Sequence, residues 1–369
     1  MRQMDLDGFD VVVVGGGPSG CYASFLLASS ARVLLIEKHP VPRRKSCGGL
    51  LAVRVLHQLE RSGLCPPAWV FAEPRRPASL RFINLKTERE DSIPNRSILN
   101  AHREAFDYWL WREAARRATC LAGIECTGVQ EAETVPGYVQ LRLCESTTNR
   151  RFGITSPSVV AADGAQSTLR GALVPGKLRY SVTIQEALVP DNGALKCLGG
   201  GADVAFVLSG DITPLYAWLI PKGPFVLVGC AFLDATDANM RFDHLKQLIQ
   251  DRLGLSGAVV RREGACCTQV SDTRMPTLSR GRVHFVGEAA GFLDQATGEG
   301  ISFALESADA CANALISDNP DVASQYRTNA HHVIGRLRRS MRASVLGGGS
   351  QSSLREYLER QHSPHADLI

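Results

Sequence analysis

The chain has 369 residues, of which 44% are hydrophobic and 21% charged, and its formal net charge at pH 7 is +4. That length predicts one large domain and a second, smaller domain. The chain has enough apolar residues for a core that needs no disulfide bonds. The small net charge argues against nucleic-acid binding. The eleven cysteines are scattered and lack the spacing of a metal site, so we expect reduced thiols and a cytoplasmic location. We expect neither a signal peptide nor a membrane-spanning helix, because no apolar run approaches the roughly 20 residues that a span needs.

The first half of the chain begins with a βαβ pattern, because a β-branched run, a helix of small and apolar residues and a second apolar run follow one another. Apolar residues at helical spacing then predict two amphipathic helices, separated by a segment rich in turn residues. In order, we predict a strand at 9–14, a helix at 21–29, a strand at 33–36, a helix at 50–64, strands and turns at 66–95, and a helix at 102–117.

The second half is predicted to be mainly strands followed by helices. In order, we predict strands at 159–162, 180–184, 205–208, 217–220 and 225–228, a helix at 242–253, a strand at 283–286, a helix at 300–315, and a helical tail from 319. The expected fold class is α/β, with a Rossmann-like nucleotide domain, an inserted antiparallel-sheet substrate domain and a helical C-terminal tail. We assign 1–70, 98–172 and 268–330 to the nucleotide domain, 71–97 and 173–267 to the substrate domain, and 331–369 to the tail.

The turn after the first strand carries the sequence GGGPSG. Gly15 permits the tight turn, Gly17 lets the backbone approach a pyrophosphate, and Gly20 lets helix and strand pack closely. The helix start offers N–H groups to phosphates, and Glu37, 17 residues beyond Gly20, is placed to accept from a ribose hydroxyl. The pattern predicts a dinucleotide without distinguishing NAD from FAD. The predicted site comprises Gly15, Gly17, Pro18, Ser19, Gly20, Glu37 and Lys38.

Three further segments resemble motifs of the flavoprotein hydroxylase superfamily. Residues 161–170, AADGAQSTLR, resemble its ADGxxSxxR segment, residues 103–110 its RxxFDxxL helix, and residues 287–291, GEAAG, its GDAAG segment. The resemblance implies FAD as the cofactor, with Arg103 reaching it and Glu288, in place of the usual Asp, holding the ribityl hydroxyls. It adds to the cofactor-binding residues Arg103, Cys126, Asp163, Gly164, Gly287 and Glu288.

Within that superfamily the chain most resembles the geranylgeranyl reductase family. The segment KSCGGL at 45–50 is similar to its CGG segment, YAWLIPK at 216–222 to its YxWxFPK motif, and TGEGI at 297–301 to its TGEGI loop. Ile220 replaces the family's Phe. The resemblance implies that amides at the start of the helix after Gly300 stabilise a reduced flavin. It adds Cys47, Gly48, Gly49, Gly298, Gly300 and Ile301 to the cofactor-binding residues, Tyr216, Trp218 and Pro221 as substrate contacts, and Cys47 and Trp218 as candidates for catalysis.

Several of these residues have a structural alternative. Cys47 is either a thiol that tunes catalysis beside the flavin or a small residue in a tight glycine-flanked loop. Cys126 either flanks the adenine or is a core thiol. Tyr216 and Trp218 alternate along a strand, which predicts either a substrate wall or ordinary core packing.

Three functions are compatible with the motifs. The first is FAD-dependent reduction of C=C bonds in an apolar or isoprenoid-like substrate, and the second is an FAD-dependent monooxygenase that hydroxylates an aromatic or biosynthetic substrate with O2 and NAD(P)H. The third is a flavoprotein whose FAD is structural or senses redox state. The electron donor is expected to be NAD(P)H or a redox protein, and the sequence identifies neither the substrate nor the oligomeric state.

The tail combines arginines with apolar side chains, which predicts either docking on an anionic inner-membrane surface or a solvated basic helix. The arginines are Arg336, Arg338, Arg339 and Arg342, and the apolar residues are Leu337, Met341 and Val345.

Overall fold

The computed structural model describes residues 8–131, 135–176, 179–269, 276–294 and 297–346. The elements of the first half are β1 Val11–Val14, α1 Pro18–Leu27, β2 Val33–Glu37, β3 Leu50–Ala52, α2 Val53–Arg61, β4 Ser79–Asn84, β5 Arg89–Pro94, β6 Ile98–Asn100, α3 Arg103–Ala115, β7 Thr119–Ala122, β8 Ile124–Glu131, β9 Val139–Glu145, β10 Arg151–Ser156 and β11 Ser158–Ala161.

The elements of the second half are α4 Thr168–Leu173, β12 Arg179–Pro190, β13 Val204–Leu208, β14 Ala217–Lys222, β15 Phe225–Phe232, α5 Ala238–Leu253, β16 Gly257–Gln269, β17 Ser279–Arg280, β18 Val283–Phe285, α6 Gly287–Ala290, α7 Ile301–Ile316, α8 Val322–Asn329 and α9 His331–Leu346. Among the described residues, no helix is long and apolar enough to cross a membrane.

The nucleotide domain is built on a six-stranded sheet in the order β17-β18-β11-β1-β2-β7, parallel except for β17. Strands covered on both faces have continuous apolar sequences, and the four valines of β1 are all buried. The neighbours of β1 are β2 on one side and β11 on the other. At such a switch in connection order, the loops after the strands leave a crevice for a nucleotide.

The substrate domain is a seven-stranded sheet in the order β16-β12-β15-β14-β13-β4-β5, antiparallel except between β13 and β4. Helix α5 covers one face through Phe242, Leu245 and Ile249. The other face packs against Leu50 and Ile98 of the two-stranded sheet β3–β6, which connects it to the nucleotide domain. The α/β fold class predicted from the sequence, with its inserted antiparallel sheet and C-terminal helices, is confirmed.

Two local predictions were wrong or incomplete. The helix predicted from residue 50 begins only at Val53, because Leu50–Ala52 pairs with Ile98–Asn100 as a strand. That partner lies far away in the sequence, so helical spacing alone gave no sign of it. The antiparallel sheet β8–β9–β10 was also absent from the prediction.

Helix α9 is packed on the nucleotide domain. Val333, Leu337 and Met341 are buried within its core, and Arg336 pairs with Glu306 of α7. The hypothesis that Leu337 and Met341 help the tail to dock on a bilayer is therefore wrong, because both side chains are buried. The side chains of Arg342 and Val345, which belonged to the same hypothesis, lie outside the described part of the chain. Residues 347–369 of the predicted tail lie outside the described residues.

Candidate active site

The turn after β1 has the shape that its glycines predict. Gly15 has a φ of +107°, and a Cβ there would lie 2.4 Å from a backbone oxygen after β11. A Cβ on Gly20 would lie 1.8 Å from the carbonyl oxygen of Gly15, so only glycine lets α1 pack this closely on β1. At Gly17 only the Arg43 side chain lies within 4 Å of a Cβ position, which leaves the backbone accessible to a phosphate.

Glu37 lies where the ribose acceptor was predicted, buried at the end of β2. Its carboxylate accepts hydrogen bonds from the backbone N–H groups of Gly16 at 2.8 Å and His39 at 2.9 Å. The guanidinium of Arg43 lies 3.3 Å from the same carboxylate. Lys38 beside it is exposed. The backbone donors therefore fix the orientation of Glu37 in the nucleotide crevice.

The GEAAG turn lies directly against the start of α1. Gly287 has a φ of +57°, and a Cβ there would lie 2.9 Å from Ser19 Oγ. The buried guanidinium of Arg170, from the ADGAQSTLR segment, donates to the carbonyl oxygen of Ala289 at 2.9 Å. Three motifs that are distant in sequence thus meet where β1, β11 and β18 end.

Two carboxylate oxygens beside this crevice have no partner among the described residues. Asp163 Oδ1 and Glu299 Oε1 are both buried and accept no hydrogen bond, and burial raises the pKa of Asp163. Next to Asp163, Gly164 has no atom within 4 Å of a Cβ position. Buried acceptors normally have donors, and the hydroxyl groups of a flavin dinucleotide are donors of the right kind. The residues present therefore fit such a cofactor.

Glu288 faces the substrate domain as well as the crevice. Its carboxylate accepts the backbone N–H of Thr268 on β16 at 2.7 Å. Burial raises its pKa, and the charges of Lys45 and Arg103 oppose that effect. The predicted contact of Glu288 with ribityl hydroxyls stays a prediction, but the carboxylate also ties the GEAAG turn to β16.

The TGEGI loop is held by the substrate domain. The hydroxyl of Tyr216 donates to the carbonyl oxygen of Thr297, and a Cβ on Gly298, whose φ is +66°, would lie 3.2 Å from that hydroxyl. Gly300 caps α7, which begins at Ile301. The first amides of α7 therefore lie at this loop, as the resemblance implied.

The same loop is also held by α9, through residues that no motif marked. Buried Asp294 accepts from the backbone N–H of Thr297 at 3.1 Å and from Ser340 Oγ at 2.5 Å. The C-terminal helix therefore supports the loop that was predicted to lie under the flavin ring.

The CGG segment lies flat on β14. A Cβ on Gly48 would lie 2.7 Å from Ile220 Cδ1, and one on Gly49, whose φ is +68°, would lie 2.8 Å from Lys222 Nζ. The thiol of Cys47 accepts the backbone N–H of Gly49 at 3.4 Å. Gly49 is required by the backbone, because its φ is positive and a Cβ there would also lie 2.2 Å from the carbonyl oxygen of Ala101, while the Cys47 side chain lines a cavity.

Trp218 on β14 and Tyr216, the residue just before this strand, form an aromatic pair with ring centroids 6.4 Å apart. The indole lies over Gly229, where a Cβ would be 2.2 Å from the ring. Its N–H donates to Gln185 Oε1 at 3.0 Å, and Gln185 donates to Glu263 at the same distance. Gln185 and Glu263 line the cavity, whereas the two rings lie behind that lining and support the loops around it.

Lys222, the last residue of the YAWLIPK segment, is a feature that the sequence interpretation did not single out. Its side chain is only 4% exposed, and Nζ donates to Asn100 Oδ1 and to the carbonyl oxygen of Ala101. Burial lowers its pKa to about 7. Pro221 accepts from the side chain of Asn100 at 2.8 Å and lines a separate pocket of about 240 Å³.

The cavity itself measures about 600 Å³ and lies between the loop at 42–47, the start of α3 and the substrate sheet. Its lining includes polar Gln185 and Lys222 and apolar Ala187 and Leu227. Such a mixture of apolar walls and a few polar groups is typical of small-molecule sites.

Arg103 lies at the inner side of the cavity and forms two hydrogen bonds of 3.1 Å with Asp107. It also lies within hydrogen-bonding reach of the Cys47 thiol. Cys126, in contrast, is buried in the core, donates to the carbonyl oxygen of Gly128 at 3.5 Å, and has a pKa raised to about 12 by burial. These contacts favour the core-thiol alternative for Cys126. No group of His, Cys, Asp and Glu side chains that could bind a metal occurs in the described ranges.

Comparisons with known proteins agree with this arrangement. The family described as FAD binding domain matches residues 8–333. Protein CbrA of Escherichia coli O139:H28 (strain E24377A / ETEC) is 28% identical over 330 residues, which cover 87% of this chain and 88% of CbrA.

Two solved structures share the fold. A geranylgeranyl bacteriochlorophyll reductase-like protein of Thermoplasma acidophilum has a TM-score of 0.78 and 21% identity, covering 95% of this chain and 90% of the other. PqsL of Pseudomonas aeruginosa, a probable FAD-dependent monooxygenase, has a TM-score of 0.70 and 17% identity, covering 95% and 99%. At these identities the likeness concerns the fold alone.

Proposed function

As a member of the FAD binding domain family the chain is an FAD-dependent oxidoreductase, and we propose that it reduces C=C bonds of an apolar, isoprenoid-like substrate. The observation that carries the proposal is the Cys47 loop, which packs on β14 and exposes its thiol to the 600 Å³ cavity. The apolar walls at Ala187 and Leu227 support an apolar substrate. The fold shared with a geranylgeranyl reductase-like protein gives further support.

Each group around the cavity has a task in this proposal. FAD, when bound, supplies the electrons and the hydride. Tyr216 holds the TGEGI loop through Thr297, which keeps the start of α7 in place. Lys222 gains or loses a proton near neutral pH, which suits the proton that saturation of a double bond consumes. Cys47 lies beside the Arg103 guanidinium and faces the same cavity as Lys222.

Anaerobic turnover tests the proposal. The holoenzyme, reduced with dithionite, is incubated with geranylgeraniol and geranylgeranyl phosphate, and the products are analysed by mass spectrometry. We expect products that have gained hydrogen at one or more double bonds. Cys47→Ser should lower the rate while retaining FAD, and Cys65→Ser, at an exposed thiol, is the matched control. If the reduced enzyme forms no saturated product, the proposal fails.

A monooxygenase is the second candidate, because polar groups line part of the cavity. Gln185 and Glu263 are hydrogen-bonded to each other at 3.0 Å, and they would suit a polar aromatic substrate better than a hydrocarbon. The same candidate compounds, together with aromatic acids, are supplied aerobically with NAD(P)H and labelled O2. Label in the product without any saturated product would replace the first candidate by the second.

A further inference from the structure

The opening of the 600 Å³ cavity exposes large apolar side chains. Trp69 is 48% exposed and Phe225 is 37% exposed, and both line the cavity. Val189, 42% exposed, lies beside Phe225, because its neighbour Leu188 pairs with Val226. Isolated exposed apolar residues are ordinary, but a group of them around the entrance to a site marks a surface that binds something apolar.

Cations accompany these side chains. The cavity opening is lined by two glutamates, Glu104 and Glu263, which pair with arginines there. Besides Arg103 and Lys222, which are described above, four cations line the cavity: Arg44 and Arg112, which are exposed, and Lys45 and Arg261, which are partly exposed. These four cations exceed the two glutamates by two positive charges. Positive charge is therefore concentrated where the apolar residues are exposed.

From this combination we infer that the cavity opening is a docking face for an anionic lipid bilayer. The face, called the cavity rim below, consists of Trp69, Val189, Phe225 and the four cations. Aromatic side chains are favourable at the level of lipid headgroups, and cations within a Debye length of an anionic leaflet are attracted to it.

The commitment to a bilayer follows from the position of the rim. A docked rim connects the acyl region of one leaflet with the Cys47 cavity, so an apolar chain enters without crossing water. A soluble protein that only delivered electrons would not need an apolar opening to the cavity. The use of the rim for substrate entry depends on the proposed reduction of an isoprenoid-like compound, whereas docking itself depends only on exposure and charge.

The sequence predicted bilayer contact by helix α9, but its apolar side chains Leu337 and Met341 are not available for such a contact. Leu337 and Met341 are buried, while Arg338 is exposed. Arg338 therefore makes a useful comparison with the rim, since it is an exposed cation on α9 that does not line the cavity.

Vesicle sedimentation with the full-length holoenzyme tests the inference. We expect the enzyme to sediment with vesicles of phosphatidylcholine and phosphatidylglycerol and to bind those of phosphatidylcholine alone much more weakly. Arg112→Gln should lower the partition coefficient about fivefold, the equivalent of about 1 kcal/mol for one basic residue near the surface. Trp69→Ser and Phe225→Ser should each lower it by about tenfold.

Two matched controls exclude nonspecific effects. Met240→Ser removes a side chain that is 65% exposed on α5, the helix on the opposite face of the sheet, and Arg338→Gln removes an exposed cation of α9; both should bind like the wild type. Absence of binding by the wild type, or equal losses in rim and control variants, overturns the docking face.

Activity in detergent separates docking from the proposed reaction. Val189→Ser changes a rim residue that is not part of the cavity lining, so this variant should bind vesicles more weakly and still reduce a detergent-solubilised substrate at the wild-type rate. If the wild type binds vesicles but forms no saturated product, docking stands and the proposed function fails. Loss of the detergent activity in Val189→Ser would mean that this residue supports the reaction site and would overturn its assignment to docking.

Discussion

Lys222 allows a test of the site that needs no substrate. Its side chain is buried and hydrogen-bonded only to neutral groups, Asn100 Oδ1 and the carbonyl oxygen of Ala101, in the part of the chain described. Burial lowers its pKa from 10.5 to about 7. The folded protein therefore carries a titrating group in a pH range where the unfolded chain holds its proton.

The sign of the effect follows from proton binding. Between pH 7 and 10.5 the unfolded chain keeps a proton on Lys222 that the folded chain has released, so the free energy of unfolding rises with pH. Below pH 7 both states are protonated and the full cost of burying the charge is present. Since one pKa unit corresponds to about 1.4 kcal/mol, this cost is on the order of 5 kcal/mol.

Lys222→Met removes the charge and keeps most of the side-chain volume. It also leaves two buried acceptors without a donor, at a pH-independent cost of about 1–3 kcal/mol for each unsatisfied group. The pH-dependent part should therefore raise the free energy of unfolding of the variant relative to the wild type at pH 6. This advantage should disappear as the pH approaches 10. The expected change in their stability difference between these conditions is on the order of 4 kcal/mol.

Urea unfolding of both proteins from pH 6 to pH 10, with excess FAD and circular dichroism as the signal, measures this difference. Lys86→Met, at a lysine whose side chain is 68% exposed, is the control and should show a nearly constant difference from the wild type. A constant difference for Lys222→Met as well would mean that the buried amine keeps its proton, and the reasoning would be refuted.

Three further changes test how the loops are held. Gly229→Ala places a methyl group 2.2 Å from the indole of Trp218, and we expect a loss of about 1–3 kcal/mol in urea unfolding with altered tryptophan fluorescence. Arg170→Met removes the guanidinium that holds the GEAAG turn, so less FAD should remain bound after gel filtration. Ser340→Ala removes a bond to Asp294, and we expect about 1 kcal/mol lower stability and faster FAD release, followed by flavin fluorescence.

Each of these variants has a matched control in the chain. Gly171→Ala adds a methyl group in α4 with no atom within 4 Å, Arg116→Met removes an exposed arginine, and Ser317→Ala removes a local hydroxyl bond at the end of α7. Effects on flavin retention as large in the controls as in the test variants would contradict the assigned contacts.

The shape of the turn after β1 could be predicted from the sequence because its constraints are local. Gly15 and Gly20 must be glycines for reasons that involve only the turn between β1 and α1, so the sequence pattern reports the backbone geometry directly. The family match over residues 8–333 confirms FAD. The position of Glu37 beside this turn was also predicted from its distance to Gly20, and its carboxylate accepts the Gly16 N–H; its contact with a ribose hydroxyl stays a prediction.

The residues that escaped prediction act through partners distant in sequence. Nothing next to Lys222 in the sequence indicates that it is buried, because its partner Asn100 lies on another segment. Similarly, Asp294 was predicted to be a loop residue, and its partner Ser340 comes from α9. Likewise, Leu50–Ala52 becomes a strand only because β6 is beside it. Local periodicity in the sequence does not indicate contacts between distant segments, so the roles of these residues could be recognised only in the folded structure.

The same reasoning explains why the reaction type is harder to derive than the cofactor. The FAD crevice is formed by loops after parallel strands of one sheet, and each loop has its own motif. The cavity, in contrast, is enclosed by Cys47 of the nucleotide domain and by Gln185 and Lys222 of the substrate sheet. Gln185 belongs to none of the motifs, so a substitution there changes the polarity of the cavity while every motif is retained. Substituting Gln185 and Lys222 together should therefore alter substrate choice while FAD binding is retained.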